Sequence, residues 1–216
     1  DFQFCPAIVP LVDLDGDGVY DVDEIEGCMD ISACNYNELA TDDGICEFPI
    51  EGYDCEGIPQ YQVGDFAEGG IIFYIDETGE HGLVAAIEDL GEYEWGCHLE
   101  YVEGAEGQAI GTGYQNTMDI VNQGCSTENG GIIAAQAAHI NSYSDWYLPS
   151  KDELVEMYNT IGNVGPEGNI GGLGNYWYWS SSENNNNYAW SVYFIDGFTD
   201  LLNKNYSGRV RVIRAF

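Results

Sequence analysis

The spacing of apolar and polar residues divides the chain into three segments. Residues 1–12, DFQFCPAIVPLV, are mainly apolar and contain two prolines, which predicts an extended strand that needs a partner to cover it. Residues 13–60 carry many carboxylates and four cysteines with little apolar periodicity, which predicts a small module held by metal and disulfides. In residues 61–216 apolar residues recur at strand and helix spacing, which predicts one larger domain.

Strand patterns occur near both ends of the larger domain. The stretches GGIIFYI and HGLVAAI predict two strands, and the turn-forming DETGE between them predicts their connection. Aromatic residues predict strands around 176–182 and 189–195, and the alternation in GRVRVIRAF predicts one final strand. These segments supply the β part of the domain.

Helical patterns lie between the two strand regions. Apolar spacing predicts helices at about 117–123 and 131–140. In PSKDELVEMYNTIG, Ser150 and Glu153 form a capping box, the apolar residues fall on one face, and Gly162 ends the helix. The predicted fold class is therefore α+β.

The chain is strongly acidic, with 38 Asp and Glu against 5 Lys and Arg and a formal net charge of -33. Such a surface repels phosphate backbones and anionic lipid, so we expect no nucleic-acid partner and no direct membrane insertion. Metal cations are the natural counter-charge. The four basic residues near the C-terminus are expected to pair with the acidic body rather than to form an anion site; they are Lys204, Arg209, Arg211 and Arg214.

The cysteine pattern indicates an oxidising compartment. Seven cysteines without a CxxC pair favour disulfides over zinc ribbons or thioredoxin-type motifs, so we expect a secreted protein, extracellular or on a cell surface. Because seven is odd, one thiol is expected to be free or bonded to another chain. The sequence has no initiator Met, no signal peptide and no bilayer-length apolar run, which we interpret as a processed or excised secreted form.

The stretch DLDGDGVYDVDE, from Asp13 to Glu24, has the ligand spacing of a twelve-residue calcium loop. Carboxylates occupy positions 1, 3, 5, 9 and 12, and Gly18 lies at position 6, where the chain must turn sharply. The predicted Ca²⁺ ligands are Asp13, Asp15, Asp17, the Val19 carbonyl, Asp21 and Glu24. The alternative is a solvated acidic turn. The prolines before the loop exclude the entering helix of an EF-hand, so the site resembles the structural calcium loops of dockerins and thrombospondin-type repeats.

The stretch GCMDISACNYNELATDDGICEFP resembles a short cysteine-containing repeat of secreted proteins from marine bacteria. It contains a possible second set of cation ligands, for which we prefer a hydrogen-bonded turn. These residues are Asp30, Asn35, Asn37, Asp42 and Asp43.

Several motifs of the larger domain occur in the order of a known family. They are YQVGDFAEGGIIFYIDETGEHGLVAA, WYLPSKDELVEMY, YWSSSE, AWSVYF and VRVIRAF. Over about residues 61–216 the chain resembles the C-terminal domain family of Legionella collagen-like adhesins, which in turn resembles the C-type-lectin-like fold of formylglycine-generating enzymes. The resemblance implies a C-type-lectin-like domain that follows a small calcium- and disulfide-stabilised module. Cys97 and Cys125 do not match the catalytic cysteines of those enzymes, and we expect them to form a disulfide.

The resemblance also implies secreted, non-catalytic binding of glycans or other surface polymers. The sulfated polysaccharides bound by the adhesins fit poorly with a net charge of -33. In a lectin-like domain the C-terminal strands and loops present the ligand, so aromatic rings there would stack on apolar faces and amides would form hydrogen bonds. The candidate ligand residues are Trp177, Trp179, Asn184, Asn185, Asn186, Asn187, Tyr188, Trp190, Asn203 and Asn205. The alternative is that the alternate aromatics are core and the asparagines form a solvated hairpin loop.

We interpret the chain as a non-enzymatic, calcium-stabilised adhesion module that binds a glycan, another surface polymer or a protein receptor. The scattered His81, His98 and His139 do not have zinc-ligand spacing, and no nucleophile elbow or phosphate loop occurs. One alternative is a self-assembling fibre subunit that donates its N-terminal strand to an identical subunit. A lesser one is a receptor-binding protein diversified by a retroelement at its C-terminal asparagine codons.

Overall fold

The computed structural model describes residues 12–14, 16, 18–50, 52–58, 60–140 and 145–216. Apart from Val12, the strand predicted at 1–12 lies outside these residues. The chain divides into two compact units, residues 1–60 and residues 61–216.

Disulfides rather than a core hold the smaller unit. Strand β1 (Glu26–Gly27) pairs in parallel with strand β2 (Asp42–Asp43), and disulfides join Cys28 to Cys46 and Cys34 to Cys55. Among the described residues of this unit, Cys28 and Ala33 are the buried apolar side chains. So small an apolar core cannot stabilise a fold by itself, which is why covalent bonds are needed.

Hydrogen bonds of the smaller unit support the preferred interpretation of its polar stretch. The Asp30 carboxylate accepts bonds from the Ser32 hydroxyl and amide, and these bonds lower the pKa of Asp30. The Asn35 side chain donates to the Ile45 carbonyl and accepts from the Glu47 amide, both at 2.9 Å. These side chains therefore act as turn formers.

The larger unit contains nine strands and three helices in its described residues. The strands that come before the helices are β3 (Phe66–Ala67), β4 (Gly70–Ile75), β5 (Gly82–Ala85) and β6 (Gly91–Glu94). The helices are α1 (Gly113–Gln123), α2 (Ala134–Ile140) and α3 (Lys151–Ile161). The strands that follow are β7 (Trp177–Glu183), β8 (Tyr188–Tyr193), β9 (Phe198–Asn203), β10 (Ser207–Val210) and β11 (Ile213–Ala215). This mixture confirms the predicted α+β class.

The strands form two sheets. One has the order β6-β10-β7-β8-β9, with β10 parallel to β7 and its other pairs antiparallel. The other is antiparallel with the order β11-β5-β4-β3. Strand β9 therefore forms one edge of the five-stranded sheet, and β8 lies between β9 and β7.

The capping box predicted for α3 is present. The Ser150 hydroxyl accepts a bond from the Glu153 amide, and the Glu153 carboxylate accepts one from the Ser150 amide at 2.6 Å. The helix ends before Gly162, as predicted. No helix in the described part of the chain combines the length and apolarity needed to cross a bilayer.

The prediction of one final strand is wrong. The chain forms β10 in one sheet and β11 in the other, with Arg211 and Val212 between them. The buried Arg211 side chain donates to the Asp89 carboxylate and to the carbonyls of Ala86 and Gly171, each at 2.8 Å. These bonds satisfy the guanidinium at the point where the chain passes between sheets.

Two apolar clusters form the core of the larger unit. In one, Trp95 and Trp179 pack with Ile120 of α1 and with the alanines of α2. In the other, Leu154 and Met157 of α3 pack on one face of the five-stranded sheet. The sheet side chains of this second cluster include Tyr178, Val192 and Phe194.

Candidate functional site

The described part of the predicted calcium loop is organised around Asp13. Its carboxylate accepts bonds from the amides of Gly16 and Gly18, at 2.7 and 3.3 Å. Both glycines have positive φ, at 81° and 99°, which allows the loop to turn back on this carboxylate. The Asp21 amide donates to the Val12 carbonyl at 2.8 Å and closes the loop.

The donor set of this loop suits a hard cation, because its side-chain ligands are carboxylates. Asp15 and Asp17 lie outside the described residues. Within the residues that the structure does describe, no group of three or more His, Cys, Asp or Glu side chains could hold a metal. If a calcium ion is bound, Asp13, Asp21, Glu24 and the Val19 carbonyl would hold it together with Asp15 and Asp17.

Apart from Trp179 and Trp190, the candidate ligand residues of the larger unit lie at opposite ends of the hairpin formed by β7 and β8. The amide end consists of Asn184–Asn187, Tyr188, Asn203 and Asn205. At the other end, the candidate Trp177 lies beside Tyr193 and Phe198, and these three residues form the aromatic end. The six residue steps of β7 separate the two ends by about 20 Å.

Part of the amide end maintains its own turn. The Asn185 side-chain oxygen accepts bonds from the amides of Asn187 and Tyr188, at 2.9 and 3.1 Å. The Asn186 carbonyl accepts a bond from the Leu99 amide, which ties the loop to the segment after β6. The side chains of Asn184 and Asn186 are exposed. These two asparagines are therefore the ones best placed to contact a ligand.

A polar cavity of about 250 Å³ lies beside the amide end. Its lining includes His98, Glu128 and the disulfide between Cys97 and Cys125. The Glu128 carboxylate accepts a bond from the Asn205 amide group at 2.9 Å and lies 3.1 Å from His98 Nδ1. These bonds lower the pKa of Glu128, with the Asn205 bond as the largest cause.

The aromatic end is formed by three neighbouring strands. Trp177 is paired in register with Tyr193, and Tyr193 with Phe198. The rings of Trp177 and Tyr193 are stacked with centroids 4.8 Å apart, and Phe198 meets Trp177 edge-on at 6.5 Å. Sequence analysis missed Tyr193 and Phe198. The alternation of residues along each strand was the available signal for them. Which residues of neighbouring strands lie side by side depends on the pairing register, and one strand alone does not show that register.

Two candidate tryptophans do not belong to either end. Trp179 is fully buried, and its indole N–H donates to the Tyr93 carbonyl at 3.0 Å, so it is a core residue and its assignment to the ligand site is corrected. Its ring fills the space that Gly208 leaves, where an added Cβ would lie 2.8 Å from the indole nitrogen. Trp190 lies on the sheet face that packs against α3, with the Lys151 ammonium 5.7 Å from its ring centroid.

A buried ion pair lies beneath the amide end. The Lys204 ammonium donates to the Glu183 carboxylate and to the Glu100 carbonyl, and both charged side chains are fully buried. The Val102 amide also donates to both Glu183 oxygens, at 3.1 and 3.0 Å. Burial raises the pKa of Glu183 and lowers the pKa of Lys204, and the bond between them opposes both shifts.

All five Lys and Arg side chains of the protein form salt bridges. Besides Lys204, the pairs are Lys151 with Asp152, Arg209 with Glu92, Arg211 with Asp89, and Arg214 with Glu68 and Asp145. This confirms the predicted pairing of the C-terminal basic residues with the acidic body.

Comparisons with known proteins were made on the whole chain. No curated protein matches it. The crystal structure of a fimbrial protein from Bacteroides ovatus is similar, with 15% identity and a TM-score of 0.47 over 84% of this chain. This chain spans 51% of that protein, and so low a score supports no conclusion. The model of the Lcl C-terminal domain family matches residues 96–214, which is more than half of the chain and confirms the resemblance seen in the sequence. The chain belongs to the Lcl C-terminal domain family.

Proposed function

We propose that this protein is a non-enzymatic extracellular binding module, of lectin-like type, that attaches a bacterial cell surface or appendage to an uncharged polymer or a receptor. Its membership in the Lcl C-terminal domain family carries the proposal. The three disulfides support it, since such bonds persist in oxidising, extracellular environments.

The electrostatics favour an uncharged ligand. Every Lys and Arg side chain is engaged by a carboxylate, so none is left without a counter-charge to bind sulfate. The remaining surface carries the excess of the net charge of -33. A sulfated polymer would be repelled over about one Debye length, or about 8 Å at physiological salt.

The amide end supplies the contact surface in this proposal. Replacing both Asn184 and Asn186 by alanine is expected to weaken binding to a glycan array or to extracted surface polymers by about tenfold, the factor given by about 1.4 kcal/mol. The reason is that their exposed amides offer donors and acceptors, whereas the backbone bonds of the turn are accepted by Asn185.

The matched control is Asn159→Ala, because Asn159 is an exposed asparagine on α3, outside this end of the sheet, and should leave binding unchanged. Asn185 is left intact, since its oxygen holds the turn. Unaltered binding by the double variant would remove the amide end from the site.

We further propose that the loop from Asp13 to Glu24 binds Ca²⁺ and that the ion stabilises the smaller unit. This role is structural. The smaller unit has little buried apolar surface of its own, so a cation that neutralises the loop carboxylates would contribute much of its stability.

The cysteine pairing favours a second function, that of a fibre subunit joined to one neighbouring chain by a disulfide. The six cysteines in the described residues are all joined to one another. The seventh, Cys5, lies outside those residues and has no cysteine left in its own chain. A bond from Cys5 to a second chain would be formed by exchange with an external disulfide.

This second function predicts a disulfide-linked dimer. After incubation with oxidised glutathione, the wild-type protein should migrate at about twice its 23.8 kDa mass on non-reducing electrophoresis and as a single chain after reduction. Cys5→Ser should stay a single chain under both conditions. A wild-type protein that remains a single chain would eliminate the covalent fibre.

A further inference from the structure

The aromatic end is an exposed surface. It is separate from the amide end and from the ligand contacts proposed there. Phe198 is 58% exposed, and Trp177 and Tyr193 are half-buried. Rings of this size are usually buried, and a group of them on one surface indicates an interaction site.

The geometry of this surface is fixed by the sheet. Trp177, Tyr193 and Phe198 stand on β7, β8 and β9 in direct cross-strand register, so none of them depends on a loop for its position. The rings are therefore already in place before a ligand binds, which lowers the entropic cost of binding. Tyr176 is not part of this surface, because it lies over the Arg209 guanidinium on the opposite face of the sheet, 4.5 Å from its ring centroid.

The charges of the protein favour an uncharged partner for this surface. Arg209 points to the opposite face of the sheet and is paired with Glu92 at 3.2 Å, and the other Lys and Arg side chains are paired with carboxylates as well, so no unpaired positive charge is available to an anionic polymer. A second copy of this chain would bring another net charge of -33. Like charges of that size oppose association. A neutral partner needs no unpaired cation and is not repelled by the negative charge of the protein.

We propose that the aromatic end binds the pyranose rings of a neutral polysaccharide. The C–H face of a pyranose is apolar and packs on the electron-rich face of an aromatic ring. Its hydroxyl groups need hydrogen-bond partners at the edge of the surface, and the exposed Asn175 and Asp196, which precede β7 and β9, carry such groups. This inference rests on the proposed binding function and adds a ligand class and a second contact surface about 20 Å from the first.

The test measures binding of the full-length protein to soluble neutral polysaccharides by affinity electrophoresis, with a β-glucan, a mannan and a galactan as probes and dextran sulfate as the anionic comparison. We expect binding to at least one neutral probe and none to dextran sulfate. Phe198→Ala and Trp177→Ala should each weaken the neutral binding by about tenfold, the factor given by about 1.4 kcal/mol.

The matched control is Phe66→Ala, because Phe66 is 68% exposed and lies on β3, the edge strand of the other sheet, outside both the aromatic end and the amide end. It should bind like the wild type. Circular dichroism would verify that the variants are folded, and Phe198, at the sheet edge, is the one least needed for folding.

Three results would overturn the inference. They are no binding to any neutral probe, neutral binding that Phe198→Ala and Phe66→Ala affect equally, and self-association of the wild type that Phe198→Ala abolishes. The proposed function fails separately, when no surface polymer or receptor is retained at all. If binding is lost only in the Asn184 and Asn186 double variant, the proposed function stands and this inference does not.

Discussion

Replacing Lys204 by methionine is expected to lower the free energy of unfolding of the larger unit by about 3–5 kcal/mol. The substitution leaves the Glu183 carboxylate fully buried, with only the Val102 amide among its described hydrogen-bond donors. The Glu100 carbonyl would lose its bond from the ammonium, and the Trp95 ring would lose a cation 4.5 Å from its centroid. An uncompensated buried charge is among the largest destabilising effects of a single substitution.

Urea denaturation followed by tryptophan fluorescence measures this change. All five tryptophans lie in residues 61–216, so their emission reports on the larger unit alone. Lys151→Met is the matched control, because the Lys151 ammonium forms a partly exposed pair with Asp152 and should contribute at most about 1 kcal/mol. Equal effects of the two substitutions on the free energy of unfolding would show that the buried pair stabilises the protein no more than the partly exposed pair does.

Removing calcium is expected to unfold or loosen the smaller unit while the larger unit stays folded. Without a cation, the five carboxylates predicted as ligands between Asp13 and Glu24 would repel one another, at about 1–4 kcal/mol for each close pair depending on screening. The bonds from Gly16 and Gly18 to Asp13 then have to hold the loop against this repulsion. Proteolysis should therefore become faster before residue 60.

Limited proteolysis with mass spectrometry, in millimolar calcium and in chelator, measures this effect. Asp17→Ala should behave as the chelated wild type does. Glu38→Ala is the matched control, since it removes an exposed carboxylate of the same unit that is not a predicted ligand. Equal protection of residues 1–60 with and without calcium would refute the calcium site, and the tryptophan emission should not change in either case.

Features set by neighbouring residues were predictable from the sequence. Helix α3 begins after Ser150 and ends before Gly162, because the capping box and the helix stop depend on residues within one or two turns. The final strand was not predictable. It is divided because Arg211 turns inward to Asp89, which is 122 residues away in the sequence.

In the candidate site too, features set by neighbouring residues were predictable and features set by distant residues were not. Asn184–Asn187 form a hairpin loop, as the local sequence indicated. Alternation alone could not assign Trp177 and Trp179 to the surface or to the core. Trp179 is covered by Tyr93 and Gly208, which are distant from it in the sequence. The strand register also shifts between Trp179 and Glu183, so alternation does not continue along β7. The stack of Trp177 on Tyr193 requires tertiary knowledge of the pairing.

The two disulfides of the smaller unit interlock, because Cys34 lies between Cys28 and Cys46 while its partner, Cys55, lies beyond them. In the adhesion module proposed above, this order would set a mechanical limit. A pulling force that reaches Cys28 runs along the short stretch to Cys34 and crosses directly to Cys55. The chain between Cys34 and Cys55, whose sequence separation is 21, therefore bears no tension. About 70 Å of chain therefore cannot be extended by the force, and even an unfolded smaller unit would remain short.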